Sequence, residues 1–293
     1  MQPDWLDRLE YPFPARYLAL AKGRMHYVDE GQGRPVVMVH GTPTWSFLFR
    51  HLIKGLSAHY RCIALDHLGF GLSDKPADGS YLPKDHAQNL KRLIDSLGLK
   101  DITLVGHDFG GPISLSYAIE HPENVRQLIL CNTWMWSLQG DPHFERASNW
   151  LGGSLGRFLY ERCNFAVQVM MKHLSGSKLS PAALRHYRGA LPAPEDRRAV
   201  WILARELIGS SDWFAELMRQ NDRIKAIPTL ILWGLRDRAL PRKLLQNWSL
   251  LMSRAQIKTF PDAGHFVFED QGAALCPLLK EFLAASHPTA PSP

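Results

Sequence analysis

A chain of 293 residues, 45% of them apolar, suits one large domain with an inserted lobe and can fill a substantial core. Its formal charge of +6 comes from dispersed basic residues in short pairs such as Arg197-Arg198, with no basic tract interleaved with aromatics, so nucleic acid is excluded as the expected partner. No run of about 18 apolar residues is present, which excludes a membrane helix, and Met1-Gln2-Pro3-Asp4-Trp5 lacks the apolar stretch of a signal peptide.

In chain order, the segments 16–21 and 24–29 read as two strands of a hairpin around Lys22-Gly23. Short apolar runs at 35–39 and 61–65 suit buried strands. A helix is predicted over 84–97, stopped at Gly98. A strand over 102–105 leads through Gly106-His107-Asp108-Phe109-Gly110 into a helix ending near Glu120, and another strand follows at 127–131. From about 137 to 211 the pattern is helical and poor in strands, broken at Gly152, Gly153, Gly156, Pro181, Pro192 and Pro194. A strand at 229–233, a helix at 241–251, a strand at 255–260 and a helix from about 272 to 283 complete the pattern. Alternation of strands and helices predicts an α/β fold with a mostly parallel sheet. The expected division is a core of residues 1–136 and 212–285, a helical cap of residues 137–211, and a disordered tail at 286–293. The four cysteines, Cys62, Cys131, Cys163 and Cys276, lack metal-ligand spacing and suit free thiols in a reducing cytoplasm.

Strand, Gly-flanked turn and helix at Gly106 to Gly110 form the nucleophile elbow of the α/β-hydrolase fold. The elbow usually presents serine, which must lose a proton before it attacks. Asp108 occupies that place here and is already ionised at neutral pH. A carboxylate can attack an sp³ carbon directly, expel a leaving group and form an alkyl ester. Water then hydrolyses the ester with a histidine as base. This chemistry serves carbon–halogen bonds, epoxides and β-lactones opened at the alkyl carbon, and disfavours ordinary serine esterase activity. The base is read as His265, in Asp262-Ala263-Gly264-His265-Phe266 after a strand. Its orienting acid is read as Asp237, in Gly234-Leu235-Arg236-Asp237 after another, with Asp262 as a rival. In His40-Gly41-Thr42-Pro43-Thr44-Trp45 the amide of Thr42, with that of Phe109, is expected to form the oxyanion hole.

The segments Tyr11-Pro12-Phe13, Met25 to Gly31, His40 to Arg50 and Asp66 to Pro76, with the elbow and the Asp237 and His265 loops, resemble the haloalkane dehalogenases. Epoxide hydrolases and bacterial β-lactone-cleaving enzymes are similar in the same regions. The resemblance implies Asp108 as nucleophile, His265 as base, Asp237 as acid, water and a small apolar organic molecule as reactants, and no metal or organic cofactor. That family usually holds the departing halide with a tryptophan after the nucleophile and an asparagine after His-Gly. Here Phe109 and Thr42 stand there, one with no donor and one with a single hydroxyl. Trp45, Trp134, Trp150, Tyr160 and Tyr187 are candidates for contacts to substrate or leaving group, with Trp136, Trp201 and Trp213 as further indoles near or within the cap. A non-catalytic receptor on the same scaffold is the reading from another class, and a monomer and a homo-oligomer both fit.

Overall fold

The computed structural model describes residues 3–285, so the tail expected at 286–293 lies outside the described residues. Eight strands form one sheet in the order β1-β2-β4-β3-β5-β6-β7-β8. They are β1 (Arg16–Leu20), β2 (Gly23–Glu30), β3 (Pro35–Val39), β4 (Arg61–Leu65), β5 (Ile102–His107), β6 (Val125–Cys131), β7 (Thr229–Gly234) and β8 (Gln256–Phe260). The β1–β2 and β2–β4 pairs are antiparallel, and every later pair is parallel. The parallel centre is covered on both faces, so its strands are continuous apolar runs rather than alternating ones, and every residue of β5 and β7 is buried. β8 lies at the edge, where exposed Gln256 and Lys258 discourage further pairing.

Helices α1 (Arg50–Leu56), α2 (Pro83–Ser96) and α3 (Gly110–Glu120) connect the first half of the sheet. Pro83 opens α2 at its first turn, and Ala87, Leu90, Leu93 and Ile94 form its buried face. Between β6 and β7 the chain runs through α4 (Pro142–Gly152), α5 (Ser154–Cys163), a π-helical turn at Ala166–Met170, α6 (Met171–Leu174), α7 (Pro181–Gly189), α8 (Arg198–Gly209) and α9 (Ser211–Arg219). Gly153 is extended and separates α4 from α5. Ser180 caps α7 by accepting from the Ala183 N–H, with Pro181 in the first turn. α4 and α5 pack on α8, while α9 returns to α3. After β7 come α10 (Lys243–Leu251), the short α11 (Val267–Asp270) and α12 (Cys276–Ala284). Cys62 and Cys131 are buried free thiols.

The strand ends are aligned. Val39 sits beside Gly106, His107 beside Cys131, Cys131 beside Leu232, and Gly234 beside Phe260. The loops that leave β3, β5, β6, β7 and β8 therefore start from one edge of the sheet, with β5 near its middle. Crossover topology places ligand sites at such an edge.

Candidate active site

Asp108 leaves β5 with φ +53°, in the left-handed region that a non-glycine residue rarely adopts. Three contacts hold this conformation. Its N–H donates to the Asn132 carbonyl at 3.2 Å, its carbonyl accepts the Gly111 N–H at 3.0 Å, and the Thr133 hydroxyl donates to that carbonyl at 2.6 Å. A side chain at Gly110 would strike the Val39 carbonyl, and one at Gly41 would strike the Asp108 carboxylate. The turn is thus tight because β3 and the elbow touch.

The Asp108 carboxylate receives the Thr42 N–H on Oδ1 at 2.9 Å and a further backbone hydrogen bond from Phe109. Its Oδ2 lies 3.4 Å from Nε2 of His265. His265 Nδ1 donates to Oδ2 of Asp237 at 2.8 Å. The other Asp237 oxygen accepts from the Ala239 and Leu240 N–H groups at 2.8 and 2.9 Å, which fixes the acid. All three side chains are buried. Burial disfavours the Asp108 anion, but the hydrogen bond and charge of His265 prevail and hold it below its ordinary range. Burial also disfavours the His265 cation, yet Asp237 and Asp108 outweigh it and raise the imidazole to about 10. The anionic Asp108 and the neighbouring Asp237 thus draw His265 toward its imidazolium form.

Supporting groups that the sequence reading did not identify surround this array. Asn132 donates to Asp237 Oδ2 and accepts the Gly234 N–H at 2.9 Å, so it ties the ends of β6 and β7 to the acid. His107 Nε2 donates to the His265 carbonyl at 2.9 Å; burial and the neighbouring His265 charge lower His107 to about 4, so it is neutral. His40 Nδ1 donates to the Gly41 carbonyl at 2.7 Å and its Nε2 accepts the His67 N–H at 3.0 Å, while His67 donates back to the His40 carbonyl at 3.0 Å. Asp66 is fully buried and accepts from the Ser46 and Leu72 N–H groups and from His26. Together these lock the loop that presents Thr42. On the opposite side, the His265 N–H donates to the Leu174 carbonyl at 2.7 Å, and Asp270 accepts from the Gly264, Gly176 and Ser177 N–H groups, each at 2.8 Å.

A cavity of about 250 Å³ opens over Asp108. Thr42, Phe109 and His265 line its base, and Phe144, Leu151, Met170 and Leu207 from the helical segment line its walls. The π-helical turn contributes Ala166 and Met170, a use typical of that irregularity. Tyr160 also lines the cavity, and its hydroxyl donates to the Met170 sulfur at 3.1 Å. Burial and the Asp108 charge raise the Tyr160 phenol, so it stays protonated. The Thr42 hydroxyl is buried and has no hydrogen-bond partner among the described residues.

None of the other aromatic candidates lines the cavity. Trp45 packs between Tyr11 at 4.9 Å and Phe47 at 5.4 Å. Trp134 lies behind Phe109, edge-on at 4.9 Å, and also meets Phe214. Trp150 is 52% exposed on α4. Tyr187 donates to Glu269, which pairs with Arg50. Trp136 packs edge-on against Trp248, Trp201 lies under Arg157 and Arg205, and Trp213 sits beside Phe214. The rival acid Asp262 is exposed and paired with Arg236.

Comparison with known proteins agrees with this architecture. Residues 34–271 match the alpha/beta hydrolase fold family. Haloalkane dehalogenase 2 of Mycobacterium tuberculosis is 35% identical over 263 residues, covering 89% of this chain and 91% of the relative. The cis-3-alkyl-4-alkyloxetan-2-one decarboxylase of Shewanella oneidensis is 34% identical over 304 residues, covering 96% of this chain and 92% of the relative. The crystal structure of haloalkane dehalogenase DatA from Agrobacterium tumefaciens C58 has a TM-score of 0.83 at 26% identity, covering 92% of this chain and 96% of that one. Similarity of that extent makes this chain an enzyme of the alpha/beta hydrolase fold family.

Proposed function

We propose that this enzyme hydrolyses small apolar alkyl electrophiles of the haloalkane type through an ester on Asp108, and that residues 137–211 act as the cap over the reacting groups. The observation that carries the reading is the continuous Asp108–His265–Asp237 array at the base of an apolar cavity. In the first step an Asp108 oxygen attacks the sp³ carbon, the carbon–halogen bond breaks and halide leaves. In the second, His265 Nε2 takes a proton from water as its oxygen adds to the ester carbonyl. The Thr42 and Phe109 amides stabilise the oxyanion, and collapse releases the alcohol and restores the carboxylate. Esterification itself switches the base on. It erases one of the two negative charges that raise His265, so the imidazolium gives up its proton when a neutral base is needed.

Halide departure is the weak point. Phe109 offers no donor, and the free Thr42 hydroxyl offers one. A missing donor at such a site costs about 3 kcal/mol, so bromide should leave more readily than chloride. A second reading, opening of an epoxide or β-lactone, is favoured by the protonated Tyr160 hydroxyl in the cavity, whose acceptor is only a thioether sulfur. Such a phenol can donate to a developing oxyanion leaving group. The proposed partners are the organic substrate and water rather than nucleic acid or membrane. Among the described residues no helix is long and apolar enough to cross a membrane, and the free cysteines suit a cytoplasmic setting.

The test is an activity panel of bromoalkanes, chloroalkanes, epoxides and β-lactones, with halide release measured directly. It is combined with intact-mass analysis of His265→Phe. Weak bromide release and a stable alkyl adduct on the variant are expected. Ring opening without any halide release moves the assignment to the second reading. No turnover and no adduct with any substrate removes the hydrolase assignment in favour of a receptor.

A further inference from the structure

The cavity over Asp108 has two unlike ends. Its lining includes buried Asp108 with its charge and, by contrast, Arg238 and His143, both exposed, which places these two toward solvent. The nearby acids are already committed. Asp237 is held by His265 and the amides of Ala239 and Leu240. Asp262 pairs with Arg236, and Asp141 pairs with Lys243. Arg238 therefore has no counter-ion among the described residues. His143 Nε2 lies 3.2 Å from the Ala239 carbonyl, which anchors the start of α4 beside the Arg238 loop. An apolar tube with an anion at its closed end and an unneutralised guanidinium at its mouth has a polarity that a plain alkane does not use. A guanidinium fork suits a carboxylate, and Asp108 repels one.

We propose that Arg238 forms a carboxylate subsite at the cavity mouth, and that the preferred substrates are alkyl electrophiles bearing a terminal carboxylate, of the ω-halo fatty acid class. The proposal deepens the hydrolase reading above and rests on it for its chemistry. An ω-bromoalkanoate enters with its carboxylate on Arg238 and its bromomethylene carbon at Asp108. Formation of the C–O bond to Asp108 expels bromide. Water then converts the ester to ω-hydroxyalkanoate, giving one proton to the alcohol and the other to His265, which replaces the proton that His265 lost to solvent on esterification. One water is consumed, and bromide and one proton are released for each hydroxy acid formed.

The experiment uses the full chain with 6-bromohexanoate and its methyl ester as a matched pair. A solvent-exposed ion pair contributes on the order of 1 kcal/mol, which is about fivefold. The wild type is expected to favour the acid by about that factor in kcat/KM, and added salt should shrink the preference. In Arg238→Gln the ratio should fall to about one, whatever happens to the absolute rates. Equal rates in the wild type, or a preference that survives in Arg238→Gln, overturn the subsite. A chemistry-free arm measures binding of hexanoate against hexanol by calorimetry in both proteins. If nothing is turned over but hexanoate binds more tightly in an Arg238-dependent way, the subsite stands and the hydrolase reading fails. If hexanoate shows no such dependence, the subsite fails even where bromoalkanes are hydrolysed.

Discussion

Asp108 combines three demanding properties in one residue: it is ionised, buried, and in a left-handed backbone conformation. Asp108→Ala should retain the fold and lose turnover to below a few per cent of wild type, measured on whichever substrate of the panel is active. His265 gives a pH signature of definite sign. Its folded value of about 10 exceeds the ordinary histidine value, so its contribution to stability is full below about 6.5 and is lost as pH rises toward 10. Asp108, depressed in the fold, contributes stability above the ordinary carboxylate range and loses it as pH falls through its lower folded value. The catalytic profile should differ from the stability profile, because the ester removes the Asp108 charge. The kcat for a trapped-ester substrate should rise with pH through a pKa well below that of His265 in the free enzyme. NMR titration of the free protein beside a kcat–pH profile tests this, and coincident values would contradict the switch. Phe109→Trp with Thr42→Asn should raise bromide release at least about tenfold by restoring donors, provided the indole fits against Trp134 and Phe214.

The elbow is an element whose function and sequence are nearly the same thing. Gly110→Ala would drive a Cβ into the Val39 carbonyl, so a loss of about 1–3 kcal/mol is expected in denaturant unfolding. This locality explains why the elbow is legible in five consecutive residues, and why strand-end position singles out Asp237 and His265. The supporting groups are invisible for the opposite reason. Asn132 meets Asp237 across 105 positions and His107 meets the His265 carbonyl across 158, so no local pattern announces either contact. Gly106 and His107 extend β5 beyond its apolar run because the Leu130 and Cys131 ladder continues beside them. The short α11 goes unread because four residues give no helical period. The surroundings of the indoles near and within the helical segment are hard to read for a related reason. Periodicity says that a helix has a buried face, but not whether that face meets a cavity, another helix or, as with exposed Trp150, little at all.

Across the whole molecule, the helical segment and the core are fastened unequally. On one side Asp270 gathers the Gly176, Ser177 and Gly264 amides, and Tyr187 reaches the buried Arg50–Glu269 pair. Asp270→Ala should lower stability by about 2–4 kcal/mol in denaturant unfolding, because it strands several donors at once. It should also depress kcat more than it raises KM, since the His265 loop loses its support. On the other side, the links that cross near Arg238 are the His143–Ala239 contact and the Lys243–Asp141 pair, both wet and screened by salt. A segment tied by buried bonds on the Asp270 side and by exposed ones near Arg238 is expected to open first near Arg238. An alkyl substrate entering there and the alcohol leaving there would use the same opening. Product should therefore inhibit competitively, and loosening those exposed links should hasten its exit without disturbing the chemistry at the far end.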